Sequence, residues 1–221
     1  MTEAVARKTA PRAVLFDFDG TLADTAPDLG AAVNRLRLER GLGELPLDTY
    51  RPWASAGARG LLHAGFGLAP GDPDFEPLRE AFLARYSEAL CAHTRLFPGC
   101  DALLAEIGAR GIRWGIVTNK ARRFTLPIIA ALGLAPACVV CGDTTAHIKP
   151  HPAPLQHAAA ELGLPPQDCC YLGDDLRDIQ AARAAGMPVV AVAYGYGGET
   201  APHAWDADAV IAHPLGLLEH L

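Results

Sequence analysis

Two aspartates set one residue apart, Asp17 and Asp19, follow directly on the apolar run Ala13-Val14-Leu15-Phe16. That run has the length and composition of a buried strand. Like charges this close repel, so the pair is costly unless something ionic sits between them. A divalent cation together with a phosphate is a natural occupant. An acidic turn is the plainer reading, because Asp and Gly both favour turns and Gly20 comes next. The choice depends on whether the rest of the chain supplies a phosphate grip, a lysine and a third carboxylate.

Each of these has a candidate. Val117-Thr118-Asn119-Lys120 ends another strand with a hydroxyl, an amide and a cation. A hydroxyl and backbone N–H groups there hold phosphate oxygens, although Thr and Asn are also good helix caps. Lys149 precedes Pro150 and Pro152, which stiffen its segment. It suits the meeting point of a phosphate and a carboxylate nucleophile, or else is an ordinary surface lysine ahead of a helix.

The third acidic cluster, Asp174, Asp175 and Asp178, again follows an apolar strand. Mg2+ prefers six oxygens, usually from one or two carboxylates, waters and substrate phosphate. Asp17, Asp174 and a main-chain carbonyl would meet that demand. Asp175 and Asp178 also read as acids favoured by a helix dipole, and Asp178 equally suits an anchor for a water of the metal.

The elements that must position these groups alternate in type. Strands are predicted at 13–16, 112–117, 139–140, 169–172, 189–192 and 209–211, and helices at about 101–110, 122–132, 153–162 and 176–185. Such alternation implies an α/β fold, a Rossmann-like parallel sheet covered on both faces. One all-helical block interrupts it, with helices at 28–40 (stopped by Gly41), 47–66 (weakened by Pro52, Gly57 and Gly60) and 75–90. The predicted organisation is a core of residues 1–25 and 97–221 with an α-helical cap inserted over 26–96. That cap would fold over the C-terminal edge of the sheet, where ligands bind in such folds.

Half of the 221 residues are hydrophobic and 20% are charged, enough for a substantial core, and the net charge is −6. The acidic balance argues against a general nucleic-acid binder. No apolar stretch approaches the ~20 residues that cross a bilayer, and Met1 to Arg12 holds no apolar run of signal-peptide length, so no membrane partner and a cytoplasmic location are expected. That N-terminal stretch reads as a frayed lead-in to the first strand. Cys138 and Cys141 have C-x-x-C spacing, but three residues apart on a strand they face opposite ways and grip no common ion. The six cysteines read as structural thiols in a reducing compartment.

Four strand-end motifs of these types, in this order, resemble the haloacid dehalogenase-like hydrolase superfamily over essentially the whole chain. The resemblance implies an aspartyl-phosphate mechanism with Mg2+ as cofactor. Asp17 resembles the nucleophile, and Asp19 the acid that protonates the leaving oxygen and then activates water, its main-chain carbonyl also meeting the metal. Thr118 and Asn119 resemble the phosphate-binding pair, and Lys149 the lysine that orients the nucleophile. Asp174 resembles the magnesium ligand, with Asp178 in support.

Within the superfamily, Asp19 disfavours dehalogenation. The 178–182 segment and Tyr194-Gly195-Tyr196-Gly197 are similar to the phosphoglycolate phosphatase branch. The 173–179 stretch and the tail from Trp205 to Pro214 are also similar to the branch acting on N-acetylmuramic acid 6-phosphate. Phosphomutases share the metal site and helical cap, and a non-catalytic phosphate binder or a response-regulator receiver is the non-hydrolytic alternative; here no catalytic group is missing. The expected partner is a small phosphorylated metabolite carrying a carboxylate, for which Arg51, Arg59 and Arg123 are candidate cations beside the reading of solvated helix-face arginines. His63, His93 and His147 have no ligand spacing. Monomer and dimer are both open.

Overall fold

The computed structural model describes residues 10–197 and 200–221; the lead-in expected at Met1–Arg12 lies outside them as far as residue 9. In chain order the elements are β1 (Ala13–Phe16), β2 (Ala23–Asp24), α1 (Ala26–Glu39), α2 (Leu47–Tyr50), α3 (Gly57–Phe66), α4 (Phe75–Glu88) and β3 (Arg95–Leu96). Then come α5 (Cys100–Ala109), β4 (Arg113–Val117), α6 (Arg122–Ala131), β5 (Val139–Val140), α7 (Ala153–Glu161), β6 (Cys169–Gly173), α8 (Leu176–Ala185), β7 (Val189–Val192) and β8 (Ala209–Ile211).

Six strands form one parallel sheet in the order β5-β4-β1-β6-β7-β8. All four residues of β1 are buried, which is why its sequence is a continuous apolar run rather than an alternating one. Val14 and Phe16 join one hydrophobic cluster and Ala13 and Leu15 the other, as strand alternation requires. The first cluster continues into the helical segment through Leu29, Val33, Leu61 and Phe82. The second packs the opposite face against α7 and α8 through Leu155, Ile179 and Ala182.

β1 lies between β4 and β6, with Phe16 paired to Ile116 on one side and Leu172 on the other. The chain therefore changes direction of winding at β1. Such a switch point opens a crevice at the carboxyl ends of the strands, and residues 17, 118 and 174 all sit there.

Two departures from expectation stand out. The single helix expected over 47–66 is three pieces: α2, a 3₁₀ turn at Arg51–Ala56, and α3. Pro52 has no N–H to continue the α-helical ladder, and Gly57 takes φ of 60°, a value that side chains disfavour. The second departure is the antiparallel ribbon of β2 and β3, pairing Ala23 with Leu96 and Asp24 with Arg95. Two-residue strands carry no readable period. The helical segment thus leaves and re-enters the sheet through adjacent strands.

Asp28, buried in the first turn of α1, braces the return. Its carboxylate accepts hydrogen bonds from the N–H of His93, the N–H of Thr94 (2.8 Å) and Thr94 Oγ1 (2.7 Å). The six cysteines are free thiols, with Cys138 and Cys141 on either side of β5. Among the described residues no helix is long and apolar enough to cross a membrane.

Candidate active site

Asp17 is the first residue after β1, and its N–H still donates to Leu172 O at 2.8 Å, so the ladder carries it alongside β6. The chain then turns sharply: the N–H groups of Leu22 and Ala23 both donate to Phe18 O. Gly20 adopts φ of 87° here, and a Cβ on it would overlap the Asp174 carboxylate, so the turn needs glycine for conformation and for space. Asp174 follows β6 and accepts from Thr21 Oγ1 and from the Tyr196 N–H, each at 3.0 Å.

Lys149 comes from the loop before α7 and is nearly fully buried. Its Nζ lies 2.8 Å from Asp17 Oδ1 and 2.7 Å from Asp178 Oδ1, and donates to the Val117 carbonyl and the Tyr171 hydroxyl. Burial disfavours its charge, but Asp17 and Asp178 outweigh that and raise its pKa. Asn119 secures the backbone beneath it. The Asn119 amide donates to Lys149 O and accepts from Lys149 N–H, both at 2.9 Å. Expected as a phosphate ligand, Asn119 lines the cleft, but its side-chain amide is engaged in positioning the lysine.

Asp178 has three partners for its two oxygens. Oδ1 faces Lys149 and the Tyr171 hydroxyl, while Oδ2 accepts the Asp175 N–H in a reciprocal capping box at the start of α8. The helix-start reading of Asp178 is therefore realised, and its other oxygen anchors Lys149, a contact the sequence did not suggest. Asp175 is the N-cap, and its carboxylate also takes two hydrogen bonds from the Arg177 guanidinium. Arg177 in turn donates to Ser55 O in the helical segment at 2.8 Å.

Asp19 points along a second path. Its Oδ1 accepts from Lys120 Nζ at 2.8 Å and from Thr25 Oγ1. Lys120 also sits over the Tyr86 ring, 4.9 Å from its centroid.

The carboxylates Asp17, Asp174 and Asp178 bring oxygens within 4.8 Å of one another, all buried. Burial is the main force pushing Asp17 up to about 7, and it holds Asp174 well above the usual carboxylate range, where the neighbouring Asp17 and Asp178 raise it further. Only the Lys149 ammonium faces this group of three at ion-pair distance among the described residues. Asp17 Oδ1 is moreover a buried oxygen to which nothing donates a well-directed hydrogen bond, close as Lys149 is. Three oxygen-bearing anions, one cation and an orphaned oxygen fit a hard divalent ion such as Mg2+. Asp178, with both oxygens already engaged, stands at the edge of that set.

A cavity of about 260 Å³ opens over the cluster, lined by Asp17, Asp19, Thr118, Lys120, Lys149 and Arg177, and roofed by residues 54–57. Thr118 is the expected phosphate hydroxyl; it also accepts the Lys120 N–H at 3.2 Å. The candidate arginines fare differently. Arg123 is not brought to the cleft: it is exposed near the start of α6, its guanidinium 4.6 Å from the Phe124 ring centroid. Arg51 is paired with Asp24 at 2.9 Å. Arg59 lines a second cavity of about 490 Å³ next to the first.

Lys120, Tyr171 and Arg177 were not assigned roles from sequence. Lys120 was visible as a cation at a strand end, and Tyr171 left a trace too, since a hydroxyl inside a buried strand must find a partner. Lys120 acts through Asp19 at another strand end and Arg177 reaches Ser55 in the helical segment, contacts that spacing along the chain does not reveal.

The haloacid dehalogenase-like hydrolase family matches residues 14–192. The chain is 44% identical over 213 residues to the N-acetylmuramic acid 6-phosphate phosphatase of Pseudomonas aeruginosa, covering 95% of this chain and 94% of that one. It is 45% identical over 212 residues to the phosphoglycolate phosphatase of Xanthomonas campestris pv. campestris, covering 95% and 96%. A crystal structure described as a predicted phosphoglycolate phosphatase from Haemophilus somnus 129pt superposes with a TM-score of 0.83 at 28% identity, over 95% and 97% of the two chains. The parallel sheet, the acids and lysine at its switch point, and these matches lead to one conclusion: the chain belongs to the haloacid dehalogenase-like hydrolase family.

Proposed function

We propose that the chain hydrolyses phosphate monoesters of small carboxylated metabolites through an aspartyl-phosphate on Asp17, with 2-phosphoglycolate as its substrate. The observation that carries this is Asp17 itself: a buried carboxylate lining the cleft, 2.8 Å from Lys149, with a second acid two residues on. Thr118 and Lys149 would hold the phosphate oxygens against Asp17. An Asp17 oxygen attacks phosphorus, the P–O bond to the substrate breaks, and Asp19 gives the leaving oxygen its proton. Asp19 then takes a proton from the water that attacks the aspartyl-phosphate, restoring Asp17 and releasing phosphate. Asp17, Asp174 and the Asp19 carbonyl would hold Mg2+, which would supply positive charge at the phosphate oxygens.

Residues 26–96 act in this reading as a helical cap on a core of 1–25 and 97–221. The six free thiols suit a cytoplasmic, reducing compartment. The N-acetylmuramic acid 6-phosphate reading is favoured by the 44% identical relative of that name and by the larger second cavity beside the cleft.

The test is phosphate release from p-nitrophenyl phosphate and 2-phosphoglycolate, with and without Mg2+. Turnover only with the metal, abolished in Asp17→Asn, is expected. Wild-type rates in Asp17→Asn would sink the covalent mechanism.

A further inference from the structure

The second cavity shares Ser55, Ala56, Asp175 and Arg177 with the first, so one thin wall separates them. Its own lining differs in character. Trp53 stands 41% exposed, Trp205 is buried, and Arg59 and Gln180 supply a guanidinium and an amide. Four cations line the two cavities. Lys149 is committed to Asp17 and Asp178, Lys120 to Asp19, and Arg177 to Asp175. Arg59 alone makes no hydrogen bond or ion pair with a described residue.

The cleft over Asp17, at about 260 Å³, falls just below the ~300–1,000 Å³ of ordinary ligand sites. A two-carbon ester needs only part of that space, whereas an ester of an N-acetylated, carboxylated sugar is several times larger. We propose that the second cavity is a substrate annex that takes the part of a larger phosphate ester remote from phosphorus, specifically a carboxylated sugar. The ring would lie against Trp53, a flat amphipathic surface of the kind that favours such contacts. The carboxylate would meet Arg59, whose planar fork matches it. This rests on the phosphatase reading above and extends it: the annex lets one nucleophile serve both a two-carbon acid and a sugar acid.

The test compares kcat/KM for 2-phosphoglycolate, N-acetylmuramic acid 6-phosphate and N-acetylglucosamine 6-phosphate, the last having the ring without the carboxylate. In Arg59→Ala, kcat/KM for N-acetylmuramic acid 6-phosphate should fall by roughly 10-fold or more relative to the other two, the size of a lost charge-assisted hydrogen bond. In Trp53→Ala both sugar esters should lose relative to 2-phosphoglycolate. Gln180→Trp, which fills the annex from α8, should act in the same direction as Trp53→Ala. Equal changes for all three substrates, or none for the sugar esters, would overturn the annex. Wild-type protein that hydrolyses 2-phosphoglycolate and neither sugar ester would also overturn it, leaving the phosphatase reading intact. Hydrolysis of none of the three would instead remove the reading beneath it.

Discussion

Lys120 donates to Asp19 across 2.8 Å, joining the end of β4 to the turn after β1 with both side chains largely out of water. Asp19 has only Thr25 as a further side-chain partner among the described residues. Replacing Lys120 by Met would leave the carboxylate half satisfied in a region of low polarity. The expected loss is about 2–3 kcal/mol of stability, below the ~3–5 kcal/mol of a fully buried pair because Asp19 keeps some exposure. Urea denaturation of Lys120→Met, and of Lys120→Met with Asp19→Asn, checks this. The double variant should recover most of the loss; a single variant as stable as the parent would remove the pair from the account.

Asp178 anchors Lys149, and Asn in its place can no longer offer an anion to the ammonium. Asp178→Asn should lower kcat about 10–100-fold with a smaller change in KM, because the lysine is displaced from Asp17 rather than from the substrate. Steady-state kinetics on 2-phosphoglycolate decide it, with circular dichroism confirming that α8 persists. An unchanged kcat would mean that Asp17 and the Val117 carbonyl hold Lys149 unaided.

Metal and pH are linked through Asp17. Burial, opposed by Lys149 and reinforced by Asp178 and Asp19, lifts its pKa from 3.8 to about 7. Between those values the metal-free folded chain keeps a proton that the unfolded chain has lost. Stability contributed at this residue therefore declines as pH rises from about 4 to about 7 and levels off above. Mg2+ needs the ionised acid, so its binding is opposed by protons below pH 7. Thermal melts should show a larger Mg2+-induced rise in Tm at about pH 8 than at about pH 5.5; an equal or larger rise at the lower pH would contradict the assignment.

At the base of the helical segment, Asp28 satisfies two backbone N–H groups and a hydroxyl at once. Asp28→Ala would strand them where water is scarce, at a cost of roughly 2–4 kcal/mol. Faster proteolytic cleavage within residues 89–96 is expected before global unfolding. A digestion pattern identical to that of the parent would show that the ribbon holds without this brace.

Much of this was legible in the chain itself, and the reasons are physical. β1, β6 and β7 are buried on both faces, so their apolar runs could belong to little else, and α8 begins at an acid pair with a recognisable helix-start preference. Asp17, Lys149 and Asp174 stand at strand ends, where the topology of a parallel sheet gathers them. Asn119 was harder, because an amide beside a phosphate site suits the ligand or the scaffold equally, and only its two-way bond to Lys149 separates them. Arg59 depended on how the helical segment breaks and turns, and Arg123 on which face of α6 turns outward. Pro52 and Gly57 announced a weakness there, but a weakened helix has no fixed direction until its neighbours are in place.

The ribbon of β2 and β3 has one further consequence. Paired strands bring the two ends of the intervening stretch to within ~5 Å of each other, so the stretch is attached at a single socket. Any helical insert whose ends meet at that spacing can replace it without changing the order of a strand in the sheet. Inserts of different size and lining could therefore stand above Asp17, Lys149 and Asp174 without moving the strand ends that carry them.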